Sequence, residues 1–131
     1  MFRINGLALA AGDVLAAPAG LTSARWQILG VIDHAPAPVA AIARTMGLTR
    51  QTVQQTANTL VAEGFAETRE NPHHRRARLV VITASGRKAL RRVERRHAVW
   101  AERVGSRIGK PNLNAAVSTL KATRLALESD A

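Results

Sequence analysis

Arg50, Gln51, Gln54, Gln55 and Asn58 crowd into the stretch GLTRQTVQQTANTLVAEGF, residues 47–65. At about 100° per residue they share one side of a helix, while Val53, Ala57, Leu60 and Val61 line the other. An amide presents a donor and an acceptor together, so it can pair bidentately with adenine N6 and N7 in a major groove. Arg50 can do the same to guanine, or grip a phosphate. An ordinary solvated helix face mixes Glu and Lys in i,i+4 pairs. This one is built from Gln, Asn and the threonines Thr49 and Thr52, with a single acid, Glu63, near its end. That is base-edge chemistry, and it favours readout of double-stranded DNA.

A second group of chemically apt residues follows in ENPHHRRA, residues 70–77. An Asn-Pro turn leads into His73, His74, Arg75 and Arg76, at the tip of a ribbon whose strands are expected at 65–69 and 78–83 (RLVVIT). A cationic ribbon directly after a recognition helix is a wing, and its arginines can enter a narrow, A·T-rich minor groove.

Other chemistry finds little support. The chain has no Cys and no Tyr, which excludes disulfides, thiolate metal sites and thiol redox sensing. The carboxylates form no recognisable pair, so no enzymatic reading is favoured and no cofactor is expected. His73 and His74 are adjacent and would point to opposite faces of a strand, which is poor geometry for a metal.

The charge balance agrees with a polyanionic partner. Lys and Arg number 19 against 9 acids, a formal charge of +10 over 131 residues. Ten of the cations lie between Arg69 and Arg96, opposed there only by Glu70 and Glu94. Such a cluster usually marks a surface facing phosphates. No run approaches the roughly 20 apolar residues of a membrane span. Asp13 interrupts the apolar N-terminus, which reads as mature and cytoplasmic.

Helices must hold these groups in place. With 47% apolar residues but only 3% aromatic, the core is expected to be aliphatic and mainly helical. A first helix over 5–17 carries Leu7 and Val14. Thr22 can cap a second, roughly 23–33, that bears Trp26. Pro38 suits the first position of a third, Gly47 its end, and Thr49 the cap of the recognition helix. Thr83 can cap a long helix over 84–108, where Leu90, Val93, His97, Trp100 and Val104 recur at 3-4-3-4 spacing, the seam of a helix that packs on another. Lys110-Pro111-Asn112 turns the chain into a last helix with Leu113, Val117 and Leu120 on its apolar stripe. These seams are most economically buried between two copies of the chain, since a dimer matches the symmetry of a palindromic site. An intramolecular helical hairpin is the alternative. The organisation is thus an N-terminal dimerisation helix (1–20), a winged helix-turn-helix domain (21–86) and C-terminal dimerisation helices (87–131). The fold class is mainly α with a small β-wing. The rival function is a winged-helix module that docks protein or RNA and touches nucleic acid non-specifically. It would need cations rather than amides on its recognition face.

From LTSARWQILGVI through PVAAIARTMGLTRQTVQQTANTLVAEGFAETR to ENPHHRRARLVVITASGRKAL, residues 21–90, the chain resembles the multiple-antibiotic-resistance regulator (MarR) family of winged-helix transcription factors. The resemblance implies a homodimer on a pseudo-palindromic operator, usually a repressor relieved by a small molecule or by oxidation. It places an inducer pocket between the winged domain and the dimerisation helices, where Trp26 and Trp100 are candidates. Many members carry acids in the wing, where Asn71 and His74 stand here. The N-terminal helix is shorter than usual, and the absence of Cys excludes the family's oxidation sensing.

Overall fold

A computed structural model describes residues 1–131. Six helices and three short strands follow one another along the chain: α1 (Phe2–Ala16), α2 (Ser23–His34), β1 (Ala37–Pro38), α3 (Val39–Met46), α4 (Arg50–Ala62), β2 (Ala66–Arg69), β3 (Leu79–Ile82), α5 (Ala84–Ile108) and α6 (Lys110–Asp130), with a 3₁₀ turn at Ala17–Ala19. The chain divides into two compact units, Met1–Arg95 and Arg96–Ala131, with α5 running unbroken through the boundary. This is the expected mainly α fold with a β-wing. No single helix is long and apolar enough to cross a membrane.

The core of the first unit is aliphatic. Ile28, Leu29 and Ile32 of α2 pack with Ile42 of α3, Val53 and Leu60 of α4, Val80 and Ile82 of β3, and Leu90 and Val93 of α5. Trp26 and Phe65 are half-buried against its edge. Burial of these branched side chains is the main driving force of the unit, at about 25 cal/mol per Å² of apolar surface.

Hydrogen bonds at the helix ends fix the joints. The buried Ser23 donates its hydroxyl to the Leu9 carbonyl (2.7 Å), and its N–H donates to Asp13 Oδ1 (2.8 Å), so α1 is tied to the first turn of α2. Thr83 caps α5, accepting from the Gly86 N–H (3.0 Å) while donating to the Gly64 carbonyl (2.7 Å). A β-carbon at position 86 would collide with the Phe65 carbonyl, so only glycine lets α5 start this close to the end of α4.

Three details differ from expectation. The wing ribbon has a third strand: Ala37 pairs with Val80 and Pro38 with Leu79, giving the antiparallel order β1-β3-β2. Pro38 is therefore extended and precedes α3 as its cap rather than occupying the first helical position. A proline tolerates a sheet edge because it has no N–H to leave unpaired there. The last turn of the chain falls at Gly109 (φ 89°), one residue earlier than expected, with Pro111 inside the first turn of α6 where its missing N–H costs nothing.

In the second unit His97 stacks on Trp100, ring centroids 5.8 Å apart. Asn112 Nδ2 donates to the Ile108 carbonyl (3.0 Å), and Arg124 pairs with Glu128 (2.9 Å). No residue of α6 is buried.

Candidate nucleic-acid interface

The recognition helix is α4, and its start is set by two nearby residues. Gly47, at φ 66°, ends α3 with its N–H on Ala43 and Arg44 carbonyls, a left-handed turn that a β-carbon would strain. Two residues on, Thr49 Oγ1 accepts the Thr52 N–H (3.2 Å) and meets the Thr52 hydroxyl at 2.8 Å. A short turn between two caps fixes the crossing of α3 and α4, the helix-turn-helix geometry.

Burial then divides α4 by face. Val53, Ala57 and Leu60 are buried, while Thr49, Arg50, Gln51, Thr52, Gln54, Gln55 and Asn58 are all exposed. Gln54 Nε2 donates to Asn58 Oδ1 (2.8 Å). That bond orients both amides and leaves the Gln54 carbonyl oxygen as an acceptor and the Asn58 amino group as a donor on two exposed residues. Arg50 makes no ion pair. Glu63, the C-terminal cap of this helix, is gripped by Arg25 of α2 at 2.6 Å. Arg25 also reaches Thr22 Oγ1 and the Gly20 carbonyl, each at 3.3 Å. The helix thus presents amides and a free guanidinium with its negative charge neutralised at the far end. Arg25 was not among the expected site residues. It lies 38 residues from its partner, and no local pattern announces such a pair.

The wing hairpin is shaped by the two residues that stand where acids are common in the family. Asn71 Oδ1 accepts the His73 N–H (3.0 Å), and its carbonyl accepts the His74 N–H (3.2 Å). His74 Nδ1 in turn accepts the Ala77 N–H (3.2 Å). His74 thus serves as an acceptor for the backbone of the wing. Arg78 reaches across the hairpin to the Thr68 carbonyl (3.4 Å). At the tip His73, His74, Arg75 and Arg76 are exposed, and Arg75 and Arg76 make no ion pair.

A cleft of about 490 Å³ separates the two cationic elements. Pro38, Val39 and Val80 line its apolar side, and Arg50, Gln51, Gln54, Thr68, Arg76 and Arg78 its polar side. A second cleft at the wing is lined by Glu70, Asn71, Pro72, Arg75 and Arg78. The recognition helix and the wing tip are therefore brought to one face of the first unit.

The remaining expected residues are scattered. Leu90 and Val93, read as dimer seam, are 1% and 0% exposed within the single chain and belong to its core, so they are removed from that set. Leu7 (64% exposed) and Val14 of α1, and Val117 and Leu120 (65%) of α6, stay uncovered. His97, Trp100, Val104 and Leu113 are half-buried. The arginine cluster of residues 69–96 is not uniformly unpaired. Arg87 and Arg91 of α5 are paired with Asp33 of α2.

A MarR family model matches residues 19–77. An uncharacterised protein of Mycobacterium tuberculosis is 38% identical over 130 residues, 99% of this chain and 91% of the relative. Among solved structures, the transcriptional repressor CouR bound to a 23-mer DNA duplex matches with a TM-score of 0.85 at 25% identity, over 93% of this chain and 87% of that one. CouR from Rhodococcus jostii RHA1 bound to p-coumaroyl-CoA matches with a TM-score of 0.81 at 23% identity, over 92% and 86%. The M. tuberculosis transcriptional regulator MosR in complex with DNA matches with a TM-score of 0.75 at 23% identity, over 95% and 92%.

Proposed function

The chain belongs to the MarR family, and from that premise we propose that it is a homodimeric repressor of transcription that reads a pseudo-palindromic site in double-stranded DNA and is released by a small molecule. The observation that carries the reading is the exposed Gln51–Gln54–Gln55–Asn58 face of α4 beside the unpaired Arg75 and Arg76 of the wing. In this reading the amides contact base edges in the major groove, and the Gln54–Asn58 bond holds them ready, so less side-chain entropy is lost on binding. Arg75 enters the flanking minor groove, and Arg76 lies nearer the phosphates.

Dimerisation is supported by the apolar residues that α1 and α6 leave uncovered, among them Leu7, Val14, Val117 and Leu120. A second copy would cover them, as isologous interfaces do. The half-buried His97, Trp100, Val104 and Leu113 complete that set. Ligand release is supported by the likeness to CouR, whose complexes include both DNA and p-coumaroyl-CoA. Trp26 and Trp100 are the candidates for contact with a ligand here.

Selection of bound fragments from random duplex DNA tests this function, together with sedimentation of the free protein. Recovery of an inverted repeat and a dimer mass is expected. Recovery of no common motif would instead favour a protein- or RNA-docking module.

A further inference from the structure

Two clefts flank the base-reading ridge of α4, one beside the wing and one beside the start of α2. At about 100° per residue, Gln54 and Thr59 lie roughly 140° apart around the helix, with Gln51, Gln55 and Asn58 between them. The Gln54 edge borders the cleft that Arg50, Arg76 and Arg78 line. The Thr59 edge borders a smaller one of about 260 Å³, lined by Gln55, Thr56 and Thr59 of α4 and by Thr22, Ala24 and Arg25. The Thr56 and Thr59 hydroxyls are engaged within the helix, donating to the Thr52 (3.1 Å) and Gln55 (3.2 Å) carbonyls. Arg25 is the one cation of this cleft. Its Nη1 meets Glu63 at 2.6 Å and the Gly20 carbonyl at 3.3 Å, and its Nε meets Thr22 Oγ1 at 3.3 Å, which leaves Nη2 without a partner.

We propose that Arg25 is a DNA phosphate contact held in reserve by Glu63: a duplex seated on the α4 ridge brings a backbone phosphate over the smaller cleft, where it displaces the Glu63 carboxylate from the guanidinium. This rests on the DNA-binding reading above. A major groove about 12 Å wide admits a helix about 10–12 Å across with little room to spare. A sugar-phosphate strand runs along each edge of that groove. A helix that reaches base edges through Gln51, Gln55 and Asn58 therefore meets a strand on either flank. The wing side has three arginines for its strand. The other side has Arg25 alone, with one edge of its guanidinium free to donate.

The Arg25–Glu63 pair is of the kind that exchanges. It is a single N–O contact, and the Glu63 side chain is 42% exposed, so a displaced carboxylate returns to water at little cost. Asp33 differs on both counts: its side chain is 15% exposed, and it holds Arg87 and Arg91 together. A phosphate can accept two parallel bonds from one guanidinium, which the single Glu63 contact does not provide. Nη1, once released, and the free Nη2 supply those two bonds. The contacts to Thr22 and Gly20 keep the guanidinium at the cleft while its partner changes.

The test uses the full-length chain, the inverted repeat recovered by selection, and copies of that repeat in which single phosphates of either strand are replaced by neutral methylphosphonate. Arg25→Gln should weaken binding by about five- to tenfold near physiological salt. At one phosphate per half-site, neutralisation should cost wild type a similar factor and cost Arg25→Gln less than about twofold. A variant weakened only by loss of structure would keep the wild-type profile along the strands. Glu63→Gln should strengthen binding by about threefold, a gain that misfolding cannot produce. In the Arg25→Gln background that gain should fall below about 1.5-fold. A phosphate profile that Arg25→Gln leaves unchanged overturns the proposal alone. So does a Glu63→Gln gain that is absent, or that survives undiminished without Arg25. If selection yields no operator, or no neutral phosphate weakens wild-type binding, the DNA-binding reading falls and the proposal with it.

Discussion

Two arginine-rich regions, the wing tip and the first turns of α5, look alike in the sequence and differ in what the fold brings to them. At the tip, Arg75 and Arg76 are exposed and meet no acid, and the local acceptors, Asn71 and His74, are engaged with backbone N–H groups. On α5, Arg87 and Arg91 are held by Asp33, and Arg91 also by Glu94. The partner that separates the two cases comes from α2, far away in the chain. An uncompensated guanidinium can release counterions from DNA when it meets a phosphate. One already paired with a carboxylate would first have to break that pair. A run of cations is thus an offer of phosphate binding only where the fold leaves it unpaired.

The largest expected effect lies at the tip. Replacing both Arg75 and Arg76 by Ala should weaken operator binding by about 10- to 100-fold near physiological salt. The dependence of log K on log salt should become shallower by about 0.9 for each phosphate no longer neutralised, hence by roughly two for one arginine in a dimer. Arg75→Ala alone should cost most when the flanks are A·T-rich. Anisotropy titrations across a salt series measure both quantities. An unchanged slope in the double variant would remove the wing from the interface and dissolve the contrast with α5.

Local signals carried the tip and the recognition helix almost completely. The Thr49 cap, the Gly47 turn, the alternation of Val53, Ala57 and Leu60 with polar residues, and the period-two strands all act within a few residues. The α5 region was only half legible for a physical reason. A 3-4-3-4 repeat from Leu90 to Val104 states which face is apolar, not what covers it. The same stripe serves the core at Leu90 and Val93 and continues half-buried at Trp100 and Val104. Strand β1 escaped the sequence reading because two residues are too few to show a period. The Asp33 and Arg25 pairs escaped it because ion pairs between distant residues leave no spacing to read.

The second expected effect is a negative one that sharpens the comparison. Arg87→Gln removes the same formal charge as a wing substitution, yet the salt slope on a correctly spaced operator should stay within about 0.3 of wild type, since the same phosphates remain neutralised. Its melting temperature should fall by at most about 3 °C, the scale of a partly exposed ion pair in a chain of this size. A slope change as large as that of Arg76→Ala would show that α5 also faces phosphates.

The smallest effect concerns the pH range over which the Asp33 ion pairs with Arg87 and Arg91 are charged. The Asp33 carboxyl is held below its ordinary value, chiefly by the Arg91 hydrogen bond and also by Arg87, with burial opposing them. Glu94 faces the same cluster through Arg91, and His34 is the neighbouring titratable group on α2. A carboxylate with a depressed folded-state value contributes its stability above the unfolded-state value and loses it as pH falls through the folded one. The melting temperature of wild type should therefore exceed that of Asp33→Asn by a constant small margin between about pH 5 and 8. The margin should close only below about pH 4, where an unfolded aspartate begins to take up protons. The Asp33 ion pairs are therefore charged throughout the neutral range. Paired thermal melts across this range check the point. A margin that changes between pH 6 and 8 would mean that another group, rather than the Asp33 charge, carries the contact with α5.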